Sequence, residues 1–175
     1  GETVLISGII YSSIMDHSAN EVNFYIMDFG SEMLKIFAKA PQVGDILLVT
    51  DEEKVSNLFK MLKSEIEKRK KLFANYNGDY NLFNKKSDKK LPLLAVVINN
   101  YESFMENYGD YEELLIQITR DGPRYGIVFI VSTSGVNSVR YRVKQNFKQE
   151  LVLQMNDESD YMSVLGNVNG VFPSK

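Results

Sequence analysis

The sequence predicts an α/β domain with a mostly parallel, twisted sheet and helices on both faces. Short apolar runs of the length of buried strands recur along the chain, and helical patterns lie between most of them. A chain of 175 residues with 44% hydrophobic content can also bury a full core. We therefore expect a single domain over residues 1–175.

Six apolar runs have the composition of strands that are buried on both faces, as in parallel sheets. They cover residues 4–7, 22–28, 46–49, 93–99, 127–132 and 150–155. The clearest helical pattern begins at Thr50, where Thr50-Asp51-Glu52-Glu53 forms a capping box. It ends in the basic residues 68–71, which is typical of a solvated helix end. Weaker helical patterns cover 9–17, 111–120, 140–147 and 158–165, and residues 75–90 are predicted to be an exposed loop.

The composition excludes several kinds of site. There is no cysteine, so thiolate metal sites, disulfides and thiol nucleophiles are ruled out. His17 is the single histidine, and the acidic residues at 156–160 lack EF-hand spacing, so no protein-ligated metal site is predicted. A net charge of -3 and a pI of about 5.3 give no strong nucleic-acid signal. No apolar run approaches the ~20 residues of a membrane span, and both ends of the chain look cut from a longer protein.

Four predicted strand ends supply the candidate site, because ligands of open parallel sheets bind beyond the carboxyl ends of the strands. They are Ser7-Gly8, Asp28-Phe29-Gly30, Asn99-Asn100 and Ser132-Thr133-Ser134.

Asn99 and Asn100 stand where nucleotide-driven motors usually carry two carboxylates, one for the Mg²⁺ shell and one to activate water. A carboxamide has no charge to offset Mg²⁺ and no basic oxygen to take a proton. One interpretation is a degenerate catalytic pair. The alternative is that the two amides cap the strand and start the next turn.

The order of several segments resembles the FtsK/SpoIIIE-type ATPase modules, and in particular the later modules of the EssC/EccC-like membrane ATPase of type VII secretion systems. The resemblance covers nearly the whole chain. It implies a RecA-like P-loop NTPase fold, with Asn99 and Asn100 at the degenerate Walker B position. The segments are VLISG, NFYIMDFG, PQVGDILLVTDEEKVSNLFKMLKSEIEKRKKLF, LPLLAVVINNYESF, LLIQITRDGPRYGIVFIVSTS and FKQELVLQMNDESDYMSVLG.

The resemblance also implies ATP and Mg²⁺ as cofactors, with Gly8, Asp28, Ser132 and Ser134 as nucleotide-binding residues. Arg120 would be a possible arginine acting in trans on a neighbouring module. Simpler interpretations remain open: Asp28 can cap a turn, and Ser132 and Ser134 can be a polar strand end. Hydrolysis by this module is expected to be weak or absent.

The expected partners are sister ATPase modules of the same chain and small helical secreted cargo proteins. The parent would form a ring at the cytoplasmic side of the cell membrane. A module with weakened catalytic residues can still act by binding, so a role in regulation or docking is expected. Two alternatives stay open, a pure interaction scaffold without nucleotide and a DNA translocase module.

One departure from the family concerns the phosphate-binding loop G-x-x-x-x-G-K-[ST], which should follow the first strand. Gly8 is followed at once by Ile9, so either the loop is missing from the sequence between these residues or the protein lacks it. The first is favoured, since a strand joined directly to a helix leaves no room for a turn of even ~2 residues. The final strand of the family is also expected to be truncated.

Overall fold

The computed structural model describes residues 2–135, 137–154 and 161–166. Short 3₁₀ turns connect several of the main elements. In chain order these elements are α1 (Glu2–Asp16), β1 (Val22–Asp28), β2 (Val43–Leu47), α2 (Glu52–Leu72), α3 (Tyr80–Lys86), β3 (Leu93–Asn99), α4 (Tyr101–Tyr108), α5 (Glu112–Asp121), β4 (Ile127–Thr133), α6 (Tyr141–Lys144), β5 (Gln149–Gln154) and β6 (Tyr161–Gly166).

The strands form one sheet in the order β2-β1-β3-β4-β6-β5. The first four are parallel, whereas β6 and β5 add antiparallel strands beside β4. Every residue of β3 and β4 is buried, as expected for central strands covered on both faces. The predicted fold class, a mostly parallel sheet flanked by helices, is confirmed.

Two apolar clusters cover the two faces of the sheet. On one face, α2, α4 and α5 pack with residues such as Phe59, Phe104 and Leu115. On the other, Ile6 and Ile10 of α1 pack with residues of α3 and of the 3₁₀ turn Met33–Phe37 that follows β1. Because neighbouring strand residues point to opposite faces, Ile26 belongs to the α1 side and Met27 to the α2 side.

Three of the predicted elements are wrong. Residues 4–7 are not a strand but lie inside α1, because a short apolar run can be a buried helix segment as well as a strand. Residues 161–166 form β6 rather than a helix. The predicted loop 75–90 contains α3, which is capped by the Asp79 side chain accepting from Leu82 N at 2.8 Å. The acidic residues 156–160 and the expected end of the family's final strand lie outside the described residues.

Arg69 departs from the predicted solvated end of α2, since its side chain is only 1% exposed. Its guanidinium donates to Glu65 Oε1 at 2.9 Å, to the carbonyl of Pro92 at 2.7 Å and to that of Tyr125 at 2.8 Å. Pro92 and Tyr125 lie just before β3 and β4. Arg69 therefore fastens α2 to the amino edge of the sheet.

β2 is the edge strand at one end of the sheet. The backbone N of Ile46 donates to Asp45 Oδ1 at 2.9 Å, and Lys54 Nζ lies 3.4 Å from the same oxygen. A side chain of β2 itself thus occupies one of its backbone donors.

Candidate functional site

The parallel register brings the predicted site residues of three strands together at one edge of the sheet. Asp28 lies opposite Asn99 at the carboxyl ends of β1 and β3. Ile98 is paired with Val131, so Ser132 of β4 follows beside Asn99. Asp28, Asn99 and Ser132 are each at least 99% buried. The grouping predicted from strand ends is therefore present for these residues.

A chain of hydrogen bonds, which we call the amide relay, connects Asp28, Asn99, Ser132 and Asn100. Asn99 Nδ2 donates to Asp28 Oδ1 at 3.1 Å, and Ser132 Oγ donates to Asn99 Oδ1 at 2.7 Å. The backbone N of Asn100 donates to Ser132 Oγ at 2.9 Å. The second Asp28 oxygen accepts from Leu34 N at 2.9 Å. Because each member is satisfied by another protein group, the buried polar side chains cost little stability.

Asn100 caps α4. Its Oδ1 accepts from Ser103 N at 3.2 Å, and its backbone is left-handed with φ 75. Asn is one of the few residues other than Gly that adopt this conformation readily. Asn100 thus has the capping role that was the alternative interpretation, and its Nδ2 also lies 3.4 Å from the carbonyl of Phe29.

Glu102 is a site residue that the sequence analysis missed. It lies in the first turn of α4, and its Oε1 accepts from Thr133 Oγ1 at 2.5 Å, Ser134 N at 2.8 Å and Ser134 Oγ at 2.9 Å. Burial raises the pKa of Glu102, but these hydrogen bonds outweigh burial, so the pKa lies below its ordinary value. The side chain is therefore ionised at neutral pH. The sequence could have indicated this role, because Glu102 lies three residues after Asn99, in the first turn of a helix.

The arrangement does not fit a Mg²⁺ ion. Mg²⁺ in nucleotide sites is held through one or two carboxylates and several waters. Both oxygens of Asp28 accept hydrogen bonds from within the fold, and Asn99 and Asn100 are neutral. In the described part of the chain, no three His, Cys, Asp or Glu side chains group closely enough to hold a metal ion.

The end of β4 does not fit a nucleotide phosphate either. Ser132 Oγ donates into the amide relay, and the Thr133 and Ser134 donors are directed at the Glu102 carboxylate. A phosphate placed there would meet an ionised carboxylate instead of free donors.

The remaining predicted residues lie apart from the amide relay. Gly8 is an exposed residue in the middle of α1, and the helix continues through Ile9 without interruption. The argument that placed a missing loop between these residues therefore no longer holds, and the loop itself stays a prediction. Arg120 is exposed at the end of α5 and pairs with Asp121 at 3.0 Å.

The start of α1 contains a second signal that the sequence analysis missed. In the phosphate-binding motif, the final Gly, Lys and Ser or Thr lie where a helix begins. α1 begins at Glu2, so Gly1-Glu2-Thr3 has the order of these last positions with Glu in place of Lys. Thr3 Oγ1 lies 3.4 Å from Ser31 Oγ, which places this helix start near the loop that follows β1.

None of the helices in residues 2–135, 137–154 and 161–166 has the length and apolar character that crossing a bilayer requires.

Comparisons with known proteins show the family to which the chain belongs. Residues 1–168 match the FtsK/SpoIIIE family. The ESX secretion system protein EccC of Geobacillus thermodenitrificans is 30% identical over 167 residues, which are 95% of this chain and 11% of that protein. The chain thus spans only a small part of this relative.

Solved structures similar to this chain also include secretion ATPases of the EssC and EccC type. The cytoplasmic domain of EssC superposes with a TM-score of 0.75 at 31% identity, over 79% of this chain and 27% of that one. Thermomonospora curvata EccC (ATPases 2 and 3), solved in complex with a signal sequence peptide, has a TM-score of 0.73 at 21% identity, over 83% and 28% of the two chains. The second likeness shows the P-loop ATPase fold alone. The chain belongs to the FtsK/SpoIIIE family, and its relatives are type VII secretion ATPases of the EssC and EccC type.

Proposed function

We propose that this chain is a degenerate ATPase module of a type VII secretion motor, which binds nucleotide weakly or not at all and acts in regulation or docking. The amide relay carries this proposal. Every group of the relay that could serve Mg²⁺ or an attacking water is neutral or satisfied within the fold. The Glu102 carboxylate adds negative charge at the end of β4, where a nucleotide site needs positive charge or free donors.

A docking role is supported by an apolar surface, which we call the α1 surface. Its members are large hydrophobic side chains of α1 and of the 3₁₀ turn after β1, each between 59% and 76% exposed, and they are Val4, Tyr11, Met15, Met33 and Ile36. Five of the seven exposed large hydrophobic residues in the described part of the chain thus belong to one face of the sheet. Exposed apolar surface of this kind often marks an interaction site.

The relatives suggest what could dock there. One solved relative contains two ATPase modules and a signal sequence peptide. By analogy, the partners here are sister modules of one chain and small helical secreted proteins, in a parent ring at the cytoplasmic side of the cell membrane. Arg120 would serve a neighbouring module, because its own pairing with Asp121 is exposed and weak.

Titration of the 175-residue chain with ATP, with and without Mg²⁺, tests the proposal. We expect no phosphate release above the buffer rate and little change in the melting temperature. A ligand at a hundredfold excess over its dissociation constant would stabilise the fold by ~2.7 kcal/mol, a shift that is easily measured. Steady hydrolysis by the wild type would overturn the proposal, and its survival after replacement of Asn99 and Asn100 by alanine would place the catalytic groups elsewhere.

The titration also separates the two forms of the proposal. A raised melting temperature without phosphate release indicates a module that binds nucleotide as a regulator. An unchanged melting temperature indicates an interaction scaffold, which the closed amide relay favours.

A further inference from the structure

Three hydrogen-bond donors at the end of β4 converge on a single oxygen. They are Thr133 Oγ1, Ser134 N and Ser134 Oγ, which lie 2.5, 2.8 and 2.9 Å from Glu102 Oε1. One backbone N–H and two hydroxyls around one oxygen form the donor set with which proteins bind phosphate and other oxyanions. In this chain the anion that these donors bind is the carboxylate of Glu102.

The Glu102 carboxylate also lies in the first turn of α4, where the helix dipole favours negative charge. Glu102 is only partly buried, so the donors it occupies are close to solvent. Hydrogen bonds to an ionised acceptor are roughly twice as strong as neutral ones, so a dissolved anion would have to displace a well-bound carboxylate.

We infer that Glu102 acts as an internal anion that occupies an oxyanion site at the end of β4 and thereby keeps phosphate groups out of it. The site without this carboxylate would take a phosphate group, whether free or carried by a nucleotide. The inference deepens the proposed function, since it names one residue that determines the weak binding of nucleotide.

The inference predicts a gain of function on removal of the carboxylate. Glu102→Ala takes away the charge and frees both Ser134 donors, while Thr133 Oγ1 keeps the carbonyl of Gly135 at 3.2 Å as a second acceptor. We expect its affinity for pyrophosphate, measured by calorimetry on the 175-residue chain without Mg²⁺, to exceed that of the wild type by at least about tenfold, which corresponds to about 1.4 kcal/mol. Glu106→Ala is the matched control, because Glu106 is an exposed glutamate one turn further along α4. The control should bind like the wild type.

Two further ligands distinguish the sources of the phosphate group. ATP should gain affinity for Glu102→Ala as pyrophosphate does, whereas adenosine, which has no phosphate, should not distinguish the variant from the wild type. If only ATP gains affinity, or if adenosine gains as much, the base and not an oxyanion is being bound and the inference fails.

A second substitution locates the site. Adding Ser134→Ala to Glu102→Ala removes one hydroxyl donor and should lose part of the gain, while a gain unaffected by Ser134→Ala would place the anion elsewhere and overturn the inference. The amide resonance of Ser134 should shift on addition of pyrophosphate to Glu102→Ala and not to the wild type.

If Glu102→Ala does not fold, the affinity of Glu102→Gln for pyrophosphate tests the inference instead. It keeps the shape and one acceptor but removes the charge, so a smaller gain of more than about twofold is expected. Equal affinities of the wild type and the folded variants for pyrophosphate would overturn the inference. That outcome would leave the proposed function intact, because the proposed function is judged on hydrolysis by the wild type.

Discussion

Arg69 is a buried charged residue. Its hydrogen bonds inside the fold, rather than its place at the basic end of α2, determine its contribution to stability. Its guanidinium satisfies Glu65 and the carbonyls of Pro92 and Tyr125 inside the fold. Removing one partner of a buried ion pair leaves the others unsatisfied and typically costs about 3 to 5 kcal/mol.

We therefore predict that Arg69→Met, which keeps the length of the side chain, lowers the free energy of unfolding by about 3 kcal/mol or more in urea titrations. Lys70→Met is the matched control, because Lys70 is 42% exposed and pairs with Glu67 at the surface. The control should change stability by less than about 0.5 kcal/mol. Similar losses in both variants would contradict a buried role for Arg69.

The neutral side chain of Asn99 donates a hydrogen bond of 3.1 Å to the buried Asp28 carboxylate. A charged group at position 99 would lose this bond and repel Asp28. Asn99→Asp would place two buried carboxyl groups in contact, so we predict that it destabilises the fold at pH 7 by about 3 kcal/mol or more instead of restoring a metal site. Burial and repulsion by the neighbouring carboxylate raise the pKa of the introduced carboxyl group in the folded state above its unfolded value of about 3.9.

The sign of the pH dependence follows from this shift. Above pH 3.9 the folded variant holds a proton that the unfolded chain has released, so its stability relative to the wild type falls as pH rises. The difference in the free energy of unfolding between the wild type and the variant should therefore be smallest below that pH. Urea titrations of both proteins at several pH values between 3.5 and 7.5 would measure it, and a deficit independent of pH would show that charge repulsion is not its cause.

At the scale of single residues, the sequence predicted that the relay residues lie together, but neither their hydrogen bonds nor their surroundings. Asn99, Asp28 and Ser132 could be grouped because parallel strands align their carboxyl ends. Glu102 and Arg69 could not be assigned, since their roles depend on which distant backbone groups approach them. A charged side chain in a helix has the same sequence pattern whether it is solvated or buried.

The helix α4 depends on Asn100, which joins it to β3 in a left-handed conformation. Asn100→Ala loses the cap and also the short polar side chain that lets Asn adopt a left-handed backbone more readily than Ala, so we predict a loss of about 1 to 2 kcal/mol. Asn100→Gly loses the same side chain but tolerates the backbone, so its loss should be only a few tenths of a kcal/mol. Thermal unfolding of the two variants measures the difference, and an equal loss in both would rule out backbone strain as the cause.

Among the elements, those with strong periodicity were predicted well and those without it were not. α2 has the predicted acidic first turn and apolar stripe, but its N-cap is Asp51 without a side-chain capping bond, so the predicted capping box at Thr50 is wrong. Residues 4–6 of α1 are all apolar, so this short run fits a strand as well as a helix. α3 lies within a segment rich in Asn, Lys and Asp, and tertiary packing of Tyr80 and Phe83 stabilises it there.

In the whole molecule, the two apolar clusters share the same sheet and should unfold together. Phe59 of α2 lies in one cluster and Phe24 of β1 in the other, and both are fully buried. We predict that Phe59→Ala and Phe24→Ala each cost about 3 to 5 kcal/mol and shift one common transition. Far-ultraviolet circular dichroism and tyrosine fluorescence should then report the same midpoint in each variant. Two separate midpoints would mean that the faces unfold independently.

The bond between Ile46 N and Asp45 Oδ1 at the edge strand β2 has a consequence for any chain that carries several such folds in series, as the solved relative with two ATPase modules does. Tethered copies meet at high local concentration, and open strand edges would then invite sheet-to-sheet fusion and strand exchange. With this donor already taken and Lys54 beside it, a foreign strand must first displace the local bond before it can add. In modules joined in series, this bond makes strand exchange between neighbouring sheets less favourable.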